Sequence, residues 1–329
     1  MAREGVFSSG SLRPAAALIV VLVIGLLVGC STTETEPAPE AEPTPSVDLP
    51  SEIKVVAAGS GLPQVIAGIN AGALNAAGIP ATVVTKEDLP EALAALRSGK
   101  ADLLVAPTGQ IADILFTSAQ ETTSPSSTPT ASSDTNDLDE TLTNLGPILG
   151  AQQLNVLPPS QASDGLVFVI TQARSDGENL TSLSDLATFS QQTAVQLGAG
   201  PGCDTRPACL PFLVDDYGVE IAGVTEVAED KVPGLVGDRS VTVGQVRSVD
   251  PEIDELRLVI LQDDLNAADP QNLVPLVSDS VNVAEVTDPI NRVQEVITTQ
   301  DLRDLNLSLA KGTDPFELSD SWVTTQLTN

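Results

Sequence analysis

Histidine is absent from this chain, and its 329 residues include only three cysteines, one tryptophan and one tyrosine. Without imidazole there is no histidine acid/base chemistry and no His-ligated metal. Basic residues are scarce too: 15 Lys and Arg stand against 45 Asp and Glu, a formal net charge of −30. Such a surface repels phosphate backbones and anionic headgroups, so nucleic acid is excluded as a partner and the charge reads as a source of solubility. Catalytic motifs are missing as well, since there is no P-loop lysine, no G-x-S-x-G and no S-x-x-K. "GAGPGC" after a strand lacks the G-x-G-x-x-G spacing of a phosphate loop. Adjacent acids such as Asp215-Asp216 and Asp263-Asp264 read as solvated surface. An enzyme is not expected, and neither a cofactor nor a metal is implied.

One long apolar run is present, at the N-terminus, in MAREGVFSSGSLRPAAALIVVLVIGLLVGC. Ala15 to Val28 follows a short basic region with Arg3 and Arg13 and suits the apolar segment of a secretory signal better than a permanent span. Leu27-Val28-Gly29-Cys30 has the form of a bacterial lipoprotein cleavage site. Residues 1–29 are therefore read as a signal peptide, with Cys30 as the lipid anchor at the outer face of the cytoplasmic membrane. Residues 30–51, rich in Pro, Glu and Thr, lack the large apolar side chains of a core and read as a flexible tether with a reach on the order of 60 Å.

Export settles the reading of the other two cysteines. Cys203 and Cys209 in "GPGCDTRPACLPFL" are an even pair in an oxidising compartment, and a disulfide is expected. A zinc site is the rival, but two cysteines without histidine fall short of its ligands. Closing so short a loop contributes about 2 kcal/mol in the chain-entropy model.

From Ile53 onward short β-branched runs alternate with helical spacing. "IKVVAAG", "ATVVT" and "ADLLVAP" read as strands, separated by the helices "LPQVIAGINAGALNAAG" and "LPEALAALRSG". This alternation predicts a parallel sheet covered on both faces, with ligand sites beyond the strand ends at Ala58–Ser60 and Ala106–Gln110. Residues 117–137 are low in complexity and read as an exposed loop. A second α/β block begins near Gly165 with "GLVFVIT", a capped helix "TSLSDLATF" and the strand "TAVQLGA". The cysteine segment then leads into a helix ending at Tyr217-Gly218. The strands "VEIAGVTEV", "SVTVGQVRSV", "LRLVILQDD" and "LVPLVS" follow. Three helices close the chain: "PINRVQEVIT", "TQDLRDLNLSLAKG" and "DPFELSDSWVTTQL", the last with Asp314 as its N-cap. No internal repeat is visible.

"GPGCDTRPACLPFLVDDYGVEI" resembles a segment of the substrate-binding proteins of quaternary-amine (glycine betaine, choline, carnitine) ABC importers. "ALRSGKADLLVAPTG", "DGLVFVITQ", "LSDLA", "SVDPEI", "LVILQDD", "NLVPLV" and "ITTQDLRDLN" follow the family's order, and the resemblance covers about residues 52–326. It implies an α/β, two-lobe type II periplasmic-binding-protein fold with an interlobe cleft. Lobe 1 would comprise residues 52–160 plus 273–329 and lobe 2 residues 164–262, with crossovers near Pro158–Ser163 and Asp264–Leu273.

The same resemblance implies a solute-binding protein, which the N-terminal reading makes lipid-anchored and which is expected to be a monomer. Its partners would be a small-molecule solute and the permease and ATPase subunits, with membrane contact through the lipid alone. Family members often hold the trimethylammonium group in a cage of tyrosines. The matching positions here are Pro107, Leu166, Leu210 and Arg247, none of them aromatic, so the ligand is expected to differ from a betaine. Ser60, Gln64, Thr108, Gln110, Ser248 and Asp250 match ligand-contacting loops, although each residue type also caps loops. Arg206 either receives a ligand carboxylate or caps carbonyls within the cysteine loop. The alternative reading is an envelope lipoprotein that keeps this fold as an interaction module without transport.

Overall fold

The computed structural model describes residues 52–122 and 137–327. The signal peptide, Cys30, the tether and most of the low-complexity segment lie outside the described residues.

The first block runs β1 (Ile53–Ala58), α1 (Leu62–Ala76), β2 (Ala81–Lys86), α2 (Leu89–Arg97), β3 (Leu103–Pro107), α3 (Thr108–Thr122), α4 (Leu138–Ala151) and β4 (Leu154–Val156). The second runs β5 (Leu166–Thr171), α5 (Gln172–Glu178), α6 (Leu183–Ser190), β6 (Val195–Ala199) and β7 (Ile221–Glu226), with a π-helical turn at Phe212–Asp216 before β7. It continues through α7 (Val232–Gly237), β8 (Val243–Arg247), α8 (Glu252–Glu255) and β9 (Leu258–Ile260). The chain then returns to the first block with β10 (Leu273–Ser278), α9 (Val283–Val296), α10 (Thr299–Ala310) and α11 (Pro315–Gln326).

Two five-stranded sheets result, in the orders β2-β1-β3-β10-β4 and β7-β6-β8-β5-β9. Each is mixed, which corrects the expectation of parallel sheets. The strand that arrives from the other lobe, β10 in the first sheet and β5 in the second, runs antiparallel to both neighbours. The two sheets thus share one topology, which no sequence repeat announces.

Period-2 alternation builds the first lobe. Ile53, Val55 and Ala57 of β1, Leu103 and Val105 of β3, and Leu273 and Val277 of β10 face one core with α1 and the C-terminal helices. Val56, Leu104, Ala106, Val274 and Leu276 face the opposite core under α2, α3 and α4. Both faces are apolar because helices cover both. Caps set the helix starts: Asp88 accepts from Glu91 N–H at 2.9 Å, Ser182 and Asp185 form a capping box, and Asp314 accepts from Phe316 and Glu317 N–H.

Two elements differ from the expectation drawn from pattern. α9 begins at Val283 and carries Pro289 in its interior, whereas a helix starting at that proline was expected. α4 was not foreseen, because Gly146 and Pro147 break its helical pattern. In the low-complexity segment, α3 continues to Thr122 before the described residues stop.

In lobe 2 the Cys203–Cys209 disulfide is formed, and both cysteines are fully buried. They pack with Phe168, Phe212 and Tyr217, whose rings contact one another at centroid distances of 5.9 and 5.5 Å. The disulfide ties the chain after β6 to this aromatic core. Among the described residues no helix is long and apolar enough to cross a membrane.

α1 meets α11 closely enough that a Cβ on Gly68 would lie 2.8 Å from Ser319 Cβ, and nearer still to Ser319 Oγ. Gly146 on α4 has open space at the same atom. Gly68→Ala is therefore expected to destabilise the fold by about 1–3 kcal/mol through overpacking. Gly146→Ala should instead be neutral or stabilising by up to about 1 kcal/mol, since alanine loses less backbone entropy in a helix. Urea unfolding of the two variants checks this pair of opposite signs.

Candidate functional site: two cavities at the strand ends

The turn between β1 and α1 needs backbone that glycine tolerates: Gly59 has φ 115° and Gly61 φ 72°. It carries Ser60, which is exposed, to the rim of a cavity of about 630 Å³. Lobe 1 contributes Ser60 to Pro63 and the α10 residues Asn306, Leu309 and Ala310. Arg247, Val249 and Pro251 of lobe 2 form the facing wall, with Asp164 between. Arg247 also lines a second cavity of about 270 Å³, so the two adjoin. The second lies at the ends of β6 and β8 and at the start of β5, bounded by Leu166, Gly200, Arg206, Gln245, Asp250 and the acids Glu229 and Asp230. Both cavities lie at strand ends, where open α/β sheets place ligands.

The candidate residues divide into two groups. Ser60, Arg206, Arg247 and Asp250 line these cavities. The others do not. Gln64 completes the α1 cap, accepting from Gly61 N–H at 3.2 Å and donating to Thr85 Oγ1 at 3.1 Å. Thr108 is fully buried, and both its N–H and its hydroxyl donate to the carbonyl of Asn272, at 2.9 and 2.7 Å. Ser248 is buried and donates to Ser163 O at 2.8 Å while accepting from Gly165 N–H at 3.1 Å. Thr108 and Ser248 thus hold the chain segments that join the lobes. Gln110 is half-buried in the first turn of α3.

Electrostatics separate the cavity-lining residues further. Arg247 puts a positive charge at one of the four cage positions. It forms a two-point ion pair with Asp164, Nη2 to Oδ2 at 2.6 Å and Nε to Oδ1 at 3.1 Å. Register explains this: β8 pairs Arg247 with Leu166 of β5, two residues after Asp164. Arg206 donates through Nη2 to Gln245 Oε1 at 2.9 Å, and its Nη1 stands 3.5 Å from Glu229 Oε1. Its Nε is shielded from solvent and has no acceptor. Among the described residues Asp250 forms no ion pair, and one of its oxygens caps Glu252 N–H at 2.9 Å. Burial pushes its carboxyl above the usual range, and the nearby Asp230 and Glu255 charges add to that rise.

Among the described residues no aromatic side chain lines either cavity. Leu166 and Arg247, two of the four cage positions, do line the smaller one. Leu210 packs against the lobe-2 core, and Pro107 ends β3 opposite Leu273. Phe168, Phe212 and Tyr217 belong to the lobe-2 core, and Trp322 to the lobe-1 core.

Sequence reasoning missed Asp164, Glu229, Asp230, Gln245 and Asn306. In a chain this acidic, a single carboxylate carries no signal of its own. Asp263 was likewise read as solvated surface, but it accepts from the Tyr217 hydroxyl and from the N–H groups of Ala267 and Ala268.

The family model for the substrate-binding domain of ABC-type glycine betaine transport systems matches residues 51–325. No curated protein sequence matches the chain. Among solved structures, apo YehZ from Escherichia coli superposes with a TM-score of 0.71 at 18% identity, covering 84% of this chain and 98% of that one. A glycine betaine/carnitine/choline ABC transporter structure gives the same TM-score and identity over 83% and 98% of the two chains. At that identity the superpositions speak for the fold, a two-lobe periplasmic-binding-protein architecture. With the family model spanning both sheets and the C-terminal helices, the chain belongs to the family of substrate-binding domains of ABC-type glycine betaine transport systems.

Proposed function

We propose that this protein is the lipid-anchored solute-binding subunit of an ABC importer. It captures a small solute between its lobes as a monomer and presents it to the permease. In this reading Cys30 carries the lipid, and residues 30–51 let the binding domain reach both solute and permease from the outer face of the membrane. Lobe 1 comprises residues 52–160 and 273–329, and lobe 2 residues 164–262. The observation that carries the proposal is the pair of adjoining cavities at the strand ends of both sheets, with Arg247 in the wall of each.

A cavity without aromatic side chains is a poor host for a quaternary ammonium. Such a cation has no N–H to donate, so desolvation leaves its charge uncompensated unless π-faces surround it. Cation–π contact contributes up to about 2 kcal/mol per desolvated site, and about 1.4 kcal/mol is a factor of ten in affinity. Glycine betaine and choline are therefore expected to bind no better than about millimolar. Titration calorimetry on the purified domain checks this, and micromolar binding of either would reject it. The anchor is tested separately. Cys30→Ala should release the protein from membranes, and mass spectrometry of the unsubstituted form should show acyl chains on residue 30.

Capture requires the lobes to move, and α10 sets what that movement must break. Arg303 donates to Ser248 O at 3.0 Å and to Asp254 Oδ2 at 3.1 Å, while Asn306 donates to Val249 O at 3.0 Å. Val249 of lobe 2 also packs into the lobe-1 core. Hydrogen bonds to charged groups contribute about 1.5–3 kcal/mol each. The double variant Arg303→Ala, Asn306→Ala is expected to widen the ligand-free protein, read as a larger radius of gyration by small-angle scattering. An unchanged radius would show that α10 does not hold the lobes together.

A further inference from the structure

The smaller cavity brings together three carboxylates (Glu229, Asp230 and Asp250) and two guanidinium groups, with no aromatic surface. These charges are not equivalent. Asp164 neutralises Arg247 at 2.6 Å, and Lys231 lies 2.7 Å from Asp230 on the exposed side. Glu229 stands beside Arg206 at 3.5 Å. That leaves two groups whose bonding is incomplete. Among the described residues Asp250 forms no ion pair, and Arg206, which lines the cavity, has a carboxylate no nearer than Glu229 at 3.5 Å. One cavity therefore offers an acceptor for a cation and a donor for an anion.

We propose that the solute is an amino-acid-like zwitterion whose ammonium carries N–H groups, with the ammonium on Asp250 and the carboxylate on Arg206. The inference rests on the solute-binding reading above and names the ligand class of that same site. Its physical basis is the difference between a carboxylate and an aromatic ring as a cation host. A ring face attracts charge whether or not the cation can donate, whereas a carboxylate makes short, charge-assisted bonds to N–H and loses them on methylation. Each N-methyl group removes a donor and adds volume in a cavity of about 270 Å³. Arg206 fits a carboxylate because its planar fork matches two oxygens. Burial raises the Asp250 carboxyl, and an incoming positive charge would offset that rise by favouring the ionised form.

Calorimetry on the intact mature domain with matched pairs tests the idea: glycine against glycine betaine, 4-aminobutyrate against its N-trimethyl derivative, and lysine against Nα-trimethyllysine. The N–H member of at least one pair is expected to bind at least about tenfold more tightly than its methylated partner. Asp250→Asn, which keeps the oxygen that caps Glu252 N–H, should reduce that preference to less than about twofold. Asp250→Glu serves as the second variant if the amide form melts at a lower temperature. Equal or tighter binding of the methylated members would overturn the inference, as would a preference that survives Asp250→Asn. Absence of binding by every zwitterion while polyols or anions still raise Tm would sink this inference and leave the solute-binding reading standing. No stabilisation by any solute class would sink both.

Discussion

Two short segments, residues 157–165 and 261–272, carry every covalent connection between the sheets, and they pair with each other. Asp164 N–H donates to Gln271 O at 3.0 Å, Leu273 N–H to Ala162 O at 2.9 Å, and Ser160 N–H to Leu273 O at 2.8 Å. This small antiparallel ladder fixes where β5 and β10 enter the opposite sheets, and hence their direction in each. Thr108 from lobe 1 and Ser248 from lobe 2 bind it from both sides, and Thr299 at the start of α10 accepts from Ser163 N–H at 3.0 Å. Space matters as much as bonding. Gln271 passes so near Gly165 that a Cβ there would meet Gln271 Cβ at 3.1 Å. A side chain on that glycine would require Gln271 to give way by a few tenths of an ångström.

The cavities are a consequence of this joint. The pairing of β8 with β5 brings Arg247 to Asp164, and because the ladder holds the strand ends of both sheets near one another, Arg247 at the same time lines both cavities. The lobe-2 aromatics were spent elsewhere: Phe168, Phe212 and Tyr217 fill the space around the disulfide, where a small lobe needs large apolar volume. What remains at the cavity wall is charge, much of it already paired. In the proposed reading a ligand here would meet carboxylates and guanidinium groups in place of ring faces, which favours solutes that donate and accept hydrogen bonds.

Much of the fold was legible along the chain. Alternating strands and helices, the Asp88, Ser182 and Asp314 caps and the Cys203–Cys209 pair are local signals, each readable within a few residues. α4 was not, because Pro147 inside a helix contradicts the local rule, and only packing of Leu145 and Leu149 against the lobe-1 sheet overrides it. The site was legible in part. The place after the first strand marked Ser60, and the family resemblance marked Arg206, Arg247 and Asp250, which line the cavities, while Gln64, Thr108 and Ser248 were marked in the same way and are bound to backbone.

The sequence by itself determined the two-block α/β architecture, the acidic surface, the absence of histidine chemistry and the shortage of aromatic side chains. All of these follow from composition and from periodicities that span a few residues. Tertiary structure alone decided that β10 and β5 run antiparallel to their neighbours, that Asp164 neutralises Arg247, and that Asp250 lines a cavity with no ion-pair partner among the described residues. The reason is range. Asp164 and Arg247 are 83 positions apart, and the charge environment of a side chain is set by neighbours that only the pairing of β5 with β8 brings within a few ångströms.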